Sequence, residues 1–207
     1  MGLPAVFFDL GDVLVHLRLE RGLARFAELA GCTLAELRDT AAVYHGDWAR
    51  ACYAGEVSTD EFLRGLVEQL GCAGLPIERA RAAWCDIFDA WPEMEALAGA
   101  VIDAGHPTYL LSNTEPVHFA LLHERMPVLG RFTDLHLSYE VRAAKPDPRY
   151  YRLALERFGL RGEDCLFVDD REENVEAARV LGIRSVLHRG DVAEVRAFLR
   201  ANGVEIA

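Results

Sequence analysis

The chain has 207 residues, 51% of them hydrophobic and 27% charged, a globular composition suited to one domain or one domain with an insertion. Its 33 acidic against 22 basic side chains give a net charge of −11, which argues against nucleic acid and anionic membrane as partners, because both need a basic face. No apolar run approaches the roughly 20 residues of a membrane span, and no secretory signal is visible. The five cysteines (Cys32, Cys52, Cys72, Cys85, Cys165) form no C-x-x-C pair, so reduced thiols and a cytoplasmic location are expected.

Ala5-Val6-Phe7-Phe8 is apolar on both faces, as a strand buried in a parallel sheet is. From about residue 16 to 90 the pattern is only helix-like: Leu19 to Leu29, Leu34 to Trp48, Thr59 to Leu70 and Ile77 to Phe88. Thr33 with Glu36 and Ser58 with Glu61 have capping-box spacing at two of these starts. Beyond residue 90, strands alternate with helices. The strands are 107–111, a weaker one at 134–138, 165–168 and 184–187. The helices are 92–104, 116–126, 148–158, 173–181 and 192–201. Pro148 near a helix start and Gly105, Gly159 and Gly182 after helix ends fit the usual N-terminal proline and C-terminal glycine. Such alternation indicates βαβ units: an α/β fold, a three-layer Rossmann-like parallel sheet. Residues 1–15 and 91–207 are expected to form this core. Residues 16–90 hold four helices, more than one crossover needs, and read as an inserted helical cap.

Ligands bind at the C-terminal ends of the strands of an open parallel sheet. Asp9-Leu10-Gly11-Asp12 follows the first strand and Ser112-Asn113-Thr114 the second. Lys145-Pro146-Asp147 precedes a helix, and Asp169-Asp170 ends the strand at 165–168. Carboxylates gathered on one edge repel one another, and a divalent cation relieves this. Oxygen-only ligands suit Mg2+, which typically takes one or two carboxylates together with a substrate phosphate oxygen. Lys145 adds the local positive charge that an acidic protein needs to accept an anionic substrate.

Together these four segments resemble the motifs of the haloacid dehalogenase superfamily. The likeness is to subfamily IA with its helical cap, and most closely to the bacterial group around alpha-D-glucose-1-phosphate phosphatase. The matching stretches are Phe7 to Val13, Leu111 to Thr114, Leu137 to Glu140 with Lys145-Pro146-Asp147, and Phe167 to Asp170 with Asn174 and Ala177. Tyr53 to Ser58, with Glu61-Phe62, fits in the cap. The resemblance implies a Mg2+-dependent phosphomonoester hydrolase acting on a small phosphorylated metabolite such as a sugar phosphate; a monomer or homodimer is expected because small cytosolic enzymes often form two-fold dimers. Asp9 would be the nucleophile, forming an aspartyl-phosphate. Ser112 and Asn113 would hold phosphate oxygens, and Lys145 would neutralise the phosphoryl group. Mg2+ would be held by Asp9, the Gly11 carbonyl, Asp169 and Asp170. Most phosphatases of the superfamily carry an acid two residues after the nucleophile. This chain has Gly11 there, so the resemblance implies an activated leaving group, with Asp12 or a water as partial substitute acid.

A 2-haloacid dehalogenase, which uses the same aspartate without a metal, is the competing enzyme, and an idle binding protein on the same fold is the other alternative. The Asp169-Asp170 pair speaks against the first and the intact Asp9, Lys145 and Asp169 against the second. In the cap, His45, Trp48, Tyr53, Glu56 and Trp84 are candidate pocket residues. Glu56 is expected to bear on specificity, whereas the helical spacing of Trp48 and Trp84 among apolar neighbours fits a core role. His16 is placed either toward the site or at a surface hinge.

Overall fold

The computed structural model describes residues 2–37, 40, 43–44, 46–72 and 74–206, so His45 lies outside the described residues. Strand β1 (Ala5–Phe8) is followed by a three-residue strand β2 (Val15–Leu17) and by helices α1 (Leu19–Ala30), α2 (Asp47–Tyr53), α3 (Thr59–Gln69) and α4 (Ile77–Cys85). Strand β3 (Phe88–Ala90) then pairs antiparallel with β2, aligning Leu17 with Phe88. The rest of the chain alternates: α5 (Pro92–Asp103), β4 (Thr108–Ser112), α6 (Pro116–Arg125), β5 (Asp134–Leu137), α7 (Ser138–Val141) and α8 (Pro148–Phe158). It closes with β6 (Cys165–Asp169), α9 (Glu172–Val180), β7 (Arg184–Leu187) and α10 (Val192–Ala201).

Five strands make one parallel sheet in the order β5-β4-β1-β6-β7. Successive side chains of a strand point to opposite faces, and β1 is apolar on both. Val6 and Phe8 pack with α5, α6 and α10 through Leu97, Val101, Leu122 and Leu199. Ala5 and Phe7 pack with α8 and α9 through Tyr150, Tyr151, Ala154 and Ala178. The result is the expected three-layer α/β architecture. β1 sits where the strand order reverses, with β4 on one side and β6 on the other. The loops leaving all three strands therefore open onto one crevice.

Helices α1 to α4 enclose their own apolar cluster around Phe26, Phe62, Leu66 and Trp84. Both capping boxes form, at Thr33–Glu36 and Ser58–Glu61. Three expectations for this stretch need correction. It is not purely helical, because β2 and β3 bracket it; three residues per strand are too few to show a period of two. The helix expected over 34–48 is, among the described residues, a 3-10 turn at Leu34–Glu36 and then α2 from Asp47. Trp48 is 40% exposed, its indole donating to the Phe62 carbonyl, whereas Trp84 is fully buried.

The loop after α2 docks on the core at Gly55, whose φ is +66°. A Cβ there would lie 2.3 Å from the Tyr139 carbonyl oxygen of α7. Backbone cannot retreat as a flexible side chain can. Gly55→Ala should therefore cost about 2 kcal/mol or more, combining a left-handed backbone with overpacking. Calorimetry is expected to show a melting temperature lower by about 5 °C.

Candidate active site

β1 ends one residue before Asp9, and the Asp9 amide still donates to the Val168 carbonyl of β6 at 3.0 Å. Asp169 is the last residue of that neighbouring strand, so the two carboxyl groups are set side by side by the sheet register. Lys145 Nζ lies 2.7 Å from Asp9 Oδ1 and 2.7 Å from Asp169 Oδ2. All three side chains are buried. Asp169 Oδ1 accepts from the Arg171 amide and from Asn174 Nδ2, both at 2.9 Å. Asn174 belonged to the matching stretch around residue 170, and its side chain locks the Asp169 carboxylate in place.

Lys145 itself is fixed through its backbone. Asn113 Nδ2 donates to the Lys145 carbonyl at 2.8 Å, and Asn113 Oδ1 accepts from the Lys145 amide at 2.9 Å. The Asn113 side chain thus braces the Lys145 backbone, and it also lines the cavity beside Ser112. Ser112 ends β4 and lines the same cavity as Asp9, Gly11, Lys145 and Asp170. Ser138 Oγ ties this loop to the next strand end, accepting from the Thr114 amide and donating to the Thr114 carbonyl.

Burial raises the Asp9 carboxyl to about 8, with Asp169 and Asp170 adding to the rise and the Lys145 ammonium opposing it. Burial likewise raises Asp170 to about 6. For Lys145, burial pulls downward, but the Asp169 and Asp9 carboxylates outweigh it and the net direction is up, so it remains the cation. One oxygen from each of Asp9, Asp169 and Asp170 lies within 4.8 Å of the others. Three carboxyl groups facing one ammonium leave excess negative charge in a buried place. An all-oxygen donor set of this kind fits a divalent cation such as Mg2+, which would hold Asp9 as the carboxylate.

The cavity above this floor has a volume of about 460 Å3. Its upper wall comes from β2, β3, the α1 to α4 region and α6: Leu17, Leu19, Ile87, Phe88 and Leu122, with Tyr44, Tyr53 and His118. Of these, only Tyr53 was expected from the sequence. Leu17 covers Gly11, because a Cβ on Gly11 would meet Leu17 Cδ1 at 2.9 Å. Asp12 (φ +49°) lines the cavity, and its Oδ1 accepts from the Leu17 amide at 2.9 Å. Glu56 does not line this cavity; it borders an adjacent cleft with Arg50, Arg142, Asn113 and Lys145. His16 stacks on Trp91 at 3.9 Å, beside the site and not in it.

A buried carboxylate that sequence reading did not single out joins the two layers of the site. Glu115 caps α6, accepting from the Val117 and His118 amides at 2.8 Å. It also accepts from Thr59 of α3 and from Trp84 Nε1 of α4. His118 Nε2 meets the Trp84 carbonyl at 2.8 Å, and its ring stacks on the indole. Only the tertiary fold brings residues 59, 84 and 115 together. The one local signal was an acid placed immediately before Pro116.

Residues 3–182 match the family described as haloacid dehalogenase-like hydrolase. Among curated relatives, a D-ribitol-5-phosphate phosphatase of Bacteroides thetaiotaomicron is 25% identical over 87% of this chain and 89% of its own. A phosphatase of Mycobacterium tuberculosis is 27% identical over 90% of this chain and 88% of its own. A haloacid dehalogenase family enzyme of B. thetaiotaomicron, solved in complex with magnesium and inorganic phosphate, superposes with a TM-score of 0.81. It is 25% identical, and the match covers 94% of this chain and 99% of that one. With the family match spanning most of its length and the sheet-edge carboxylates and lysine in place, this chain belongs to the haloacid dehalogenase-like hydrolases.

Proposed function

We propose that the protein is a Mg2+-dependent phosphomonoester hydrolase of small phosphorylated metabolites, working through an aspartyl-phosphate. The observation that carries this is Lys145 Nζ, 2.7 Å from both Asp9 and Asp169 at the floor of a cavity large enough for a small organic phosphate. Residues 1–15 and 91–207 act as the catalytic core and 16–90 as the cap that completes the cavity. Among the described residues no helix is long and apolar enough to cross a membrane, and the negative net charge is unsuited to nucleic acid. A cytoplasmic monomer or homodimer is the form expected.

In this reading an Asp9 carboxylate oxygen attacks phosphorus in line with the ester oxygen. The P–O bond to the leaving group breaks as the aspartyl P–O bond forms. Water then attacks the same phosphorus, releasing inorganic phosphate and restoring the Asp9 carboxylate. Lys145 neutralises the equatorial phosphoryl oxygens, while its grip on Asp169 keeps it aimed. Ser112 and Asn113 hold phosphate oxygens, and Asn113 also steadies Lys145 through its backbone. Asp9, Asp169, Asp170 and the Gly11 carbonyl would hold Mg2+, which when bound supplies charge neutralisation to the phosphoryl group. Asp12, which lines the cavity and is steadied by the Leu17 amide, serves as partial substitute for the acid missing at Gly11.

Asp9→Asn keeps size and shape but removes the nucleophile. Hydrolysis of para-nitrophenyl phosphate with Mg2+ should fall on the order of 10^4-fold, with an unchanged far-ultraviolet circular dichroism spectrum. Persistent turnover would remove Asp9 from its role.

EDTA should abolish phosphate release and added Mg2+ restore it. Chelator-resistant release of halide from 2-chloropropionate would favour the dehalogenase alternative instead.

Asp12→Asn should spare aryl phosphates and slow alkyl phosphates by a factor of about 10² or more, since only the poorer leaving group needs a proton. A uniform loss across a series of rising leaving-group pKa would show that Asp12 only supports the loop.

A further inference from the structure

We infer that the organic part of the substrate is a compact apolar group, an aryl ring or one of similar shape, and not a polyol. This rests on the phosphatase reading and adds the substrate class. The polar lining around Asp9 and Lys145 suits a phosphoryl group, and the cap-side lining is mainly Leu17, Leu19, Ile87 and Phe88, joined by Leu122 of α6. Polar side chains in that wall are already engaged. The Tyr44 hydroxyl donates to the Leu19 carbonyl at 3.3 Å, and His118 Nε2 is 2.8 Å from the Trp84 carbonyl. His118 Nδ1 lies 3.5 Å from Glu115 Oε1. The Tyr53 hydroxyl, held protonated by burial, is left to meet one substrate oxygen.

A sugar or sugar alcohol would bring several hydroxyls against methyl and aromatic carbons. Each hydroxyl stripped of water and left without a partner weakens binding by about tenfold. An apolar group gains instead. A second aromatic ring that buries roughly 50 Å2 of further apolar surface tightens binding by about tenfold. The Leu17 side chain over Gly11 extends this apolar wall to the edge of the reacting centre, where the ester oxygen would emerge. The cavity volume of about 460 Å3 leaves space for one or two rings beside a phosphoryl group.

The test uses the full-length protein with Mg2+. Phenyl and 1-naphthyl phosphate, whose leaving groups are of similar basicity, are compared with D-ribitol 5-phosphate and glucose 1-phosphate. The expected result is a kcat/KM for 1-naphthyl phosphate about tenfold above that for phenyl phosphate, carried by KM, with both polyol esters lower still. Binding free of leaving-group chemistry is measured by calorimetry on the Asp9→Asn protein. There 1-naphthylmethyl phosphonate should bind at least tenfold more tightly than ribitol 5-phosphate. Phe88→Ala should move the naphthyl-to-phenyl ratio toward one. Equal use of the two aryl esters, or tighter binding of the polyol phosphate, overturns the apolar class while leaving the phosphatase reading intact. Absence of Asp9-dependent phosphate release from every ester overturns both.

Discussion

The bridge from Lys145 to Asp9 and Asp169 organises the rest of the molecule. Taking an ammonium and carboxylates out of water is costly, and their mutual attraction compensates only when geometry and remaining hydrogen bonds are complete. Here the geometry is fixed from several directions. The sheet register sets Asp9 beside Asp169, Asn113 grips the Lys145 backbone at both its N–H and its carbonyl, and Asn174 with the Arg171 amide holds the far oxygen of Asp169. A cluster this expensive contributes little to stability for its size. It keeps a positive charge and oxygen donors facing one another at the cavity, the preorganisation that the proposed phosphoryl transfer requires.

The core's crevice is finished by the inserted segment. β2 and β3 are each three residues long, yet their pairing carries Leu17 over Gly11 and brings Ile87 and Phe88 to the same wall. Glu115 provides the second attachment. Its carboxylate leaves the strand-end loop of β4, caps α6 and reaches Thr59 and Trp84 on two helices of the insertion. The loop that carries Ser112 and Asn113 is thereby bonded to the inserted segment that supplies Leu17, Ile87 and Phe88 to the cavity lining. A polar floor and an apolar wall are built from different parts of the chain, joined by a buried network whose partners are all within the protein.

Much of this was legible beforehand because it is written in local pattern. Buried parallel strands show as continuous apolar runs, so β1, β4 and β6 and their terminal Asp9, Ser112 and Asp169 could be located. Helices with a proline at the start and a glycine after the end, such as α8 with Pro148 and Gly159, could be bounded closely. Features decided by contact between distant segments could not. Trp48 has the spacing of a core residue but lies half-exposed over Gly65 of α3, its indole nitrogen donating to the Phe62 carbonyl. Glu56 sits in a stretch that fits the family, and only the fold shows that it borders a neighbouring cleft sharing Asn113 and Lys145 with the main cavity.

The amino-acid sequence by itself determined the sheet, the order of its polar strand ends and the kinds of side chain presented there. Strand periodicity and end-of-strand polarity are properties of a few neighbouring residues. Tertiary structure alone decided which atoms meet: that Asn113 serves Lys145, that Glu115 couples two layers, and that Leu17 roofs Gly11. Those outcomes depend on packing between residues tens of positions apart, where burial, excluded volume and the need to satisfy every buried polar group select one arrangement among many that the same local patterns allow.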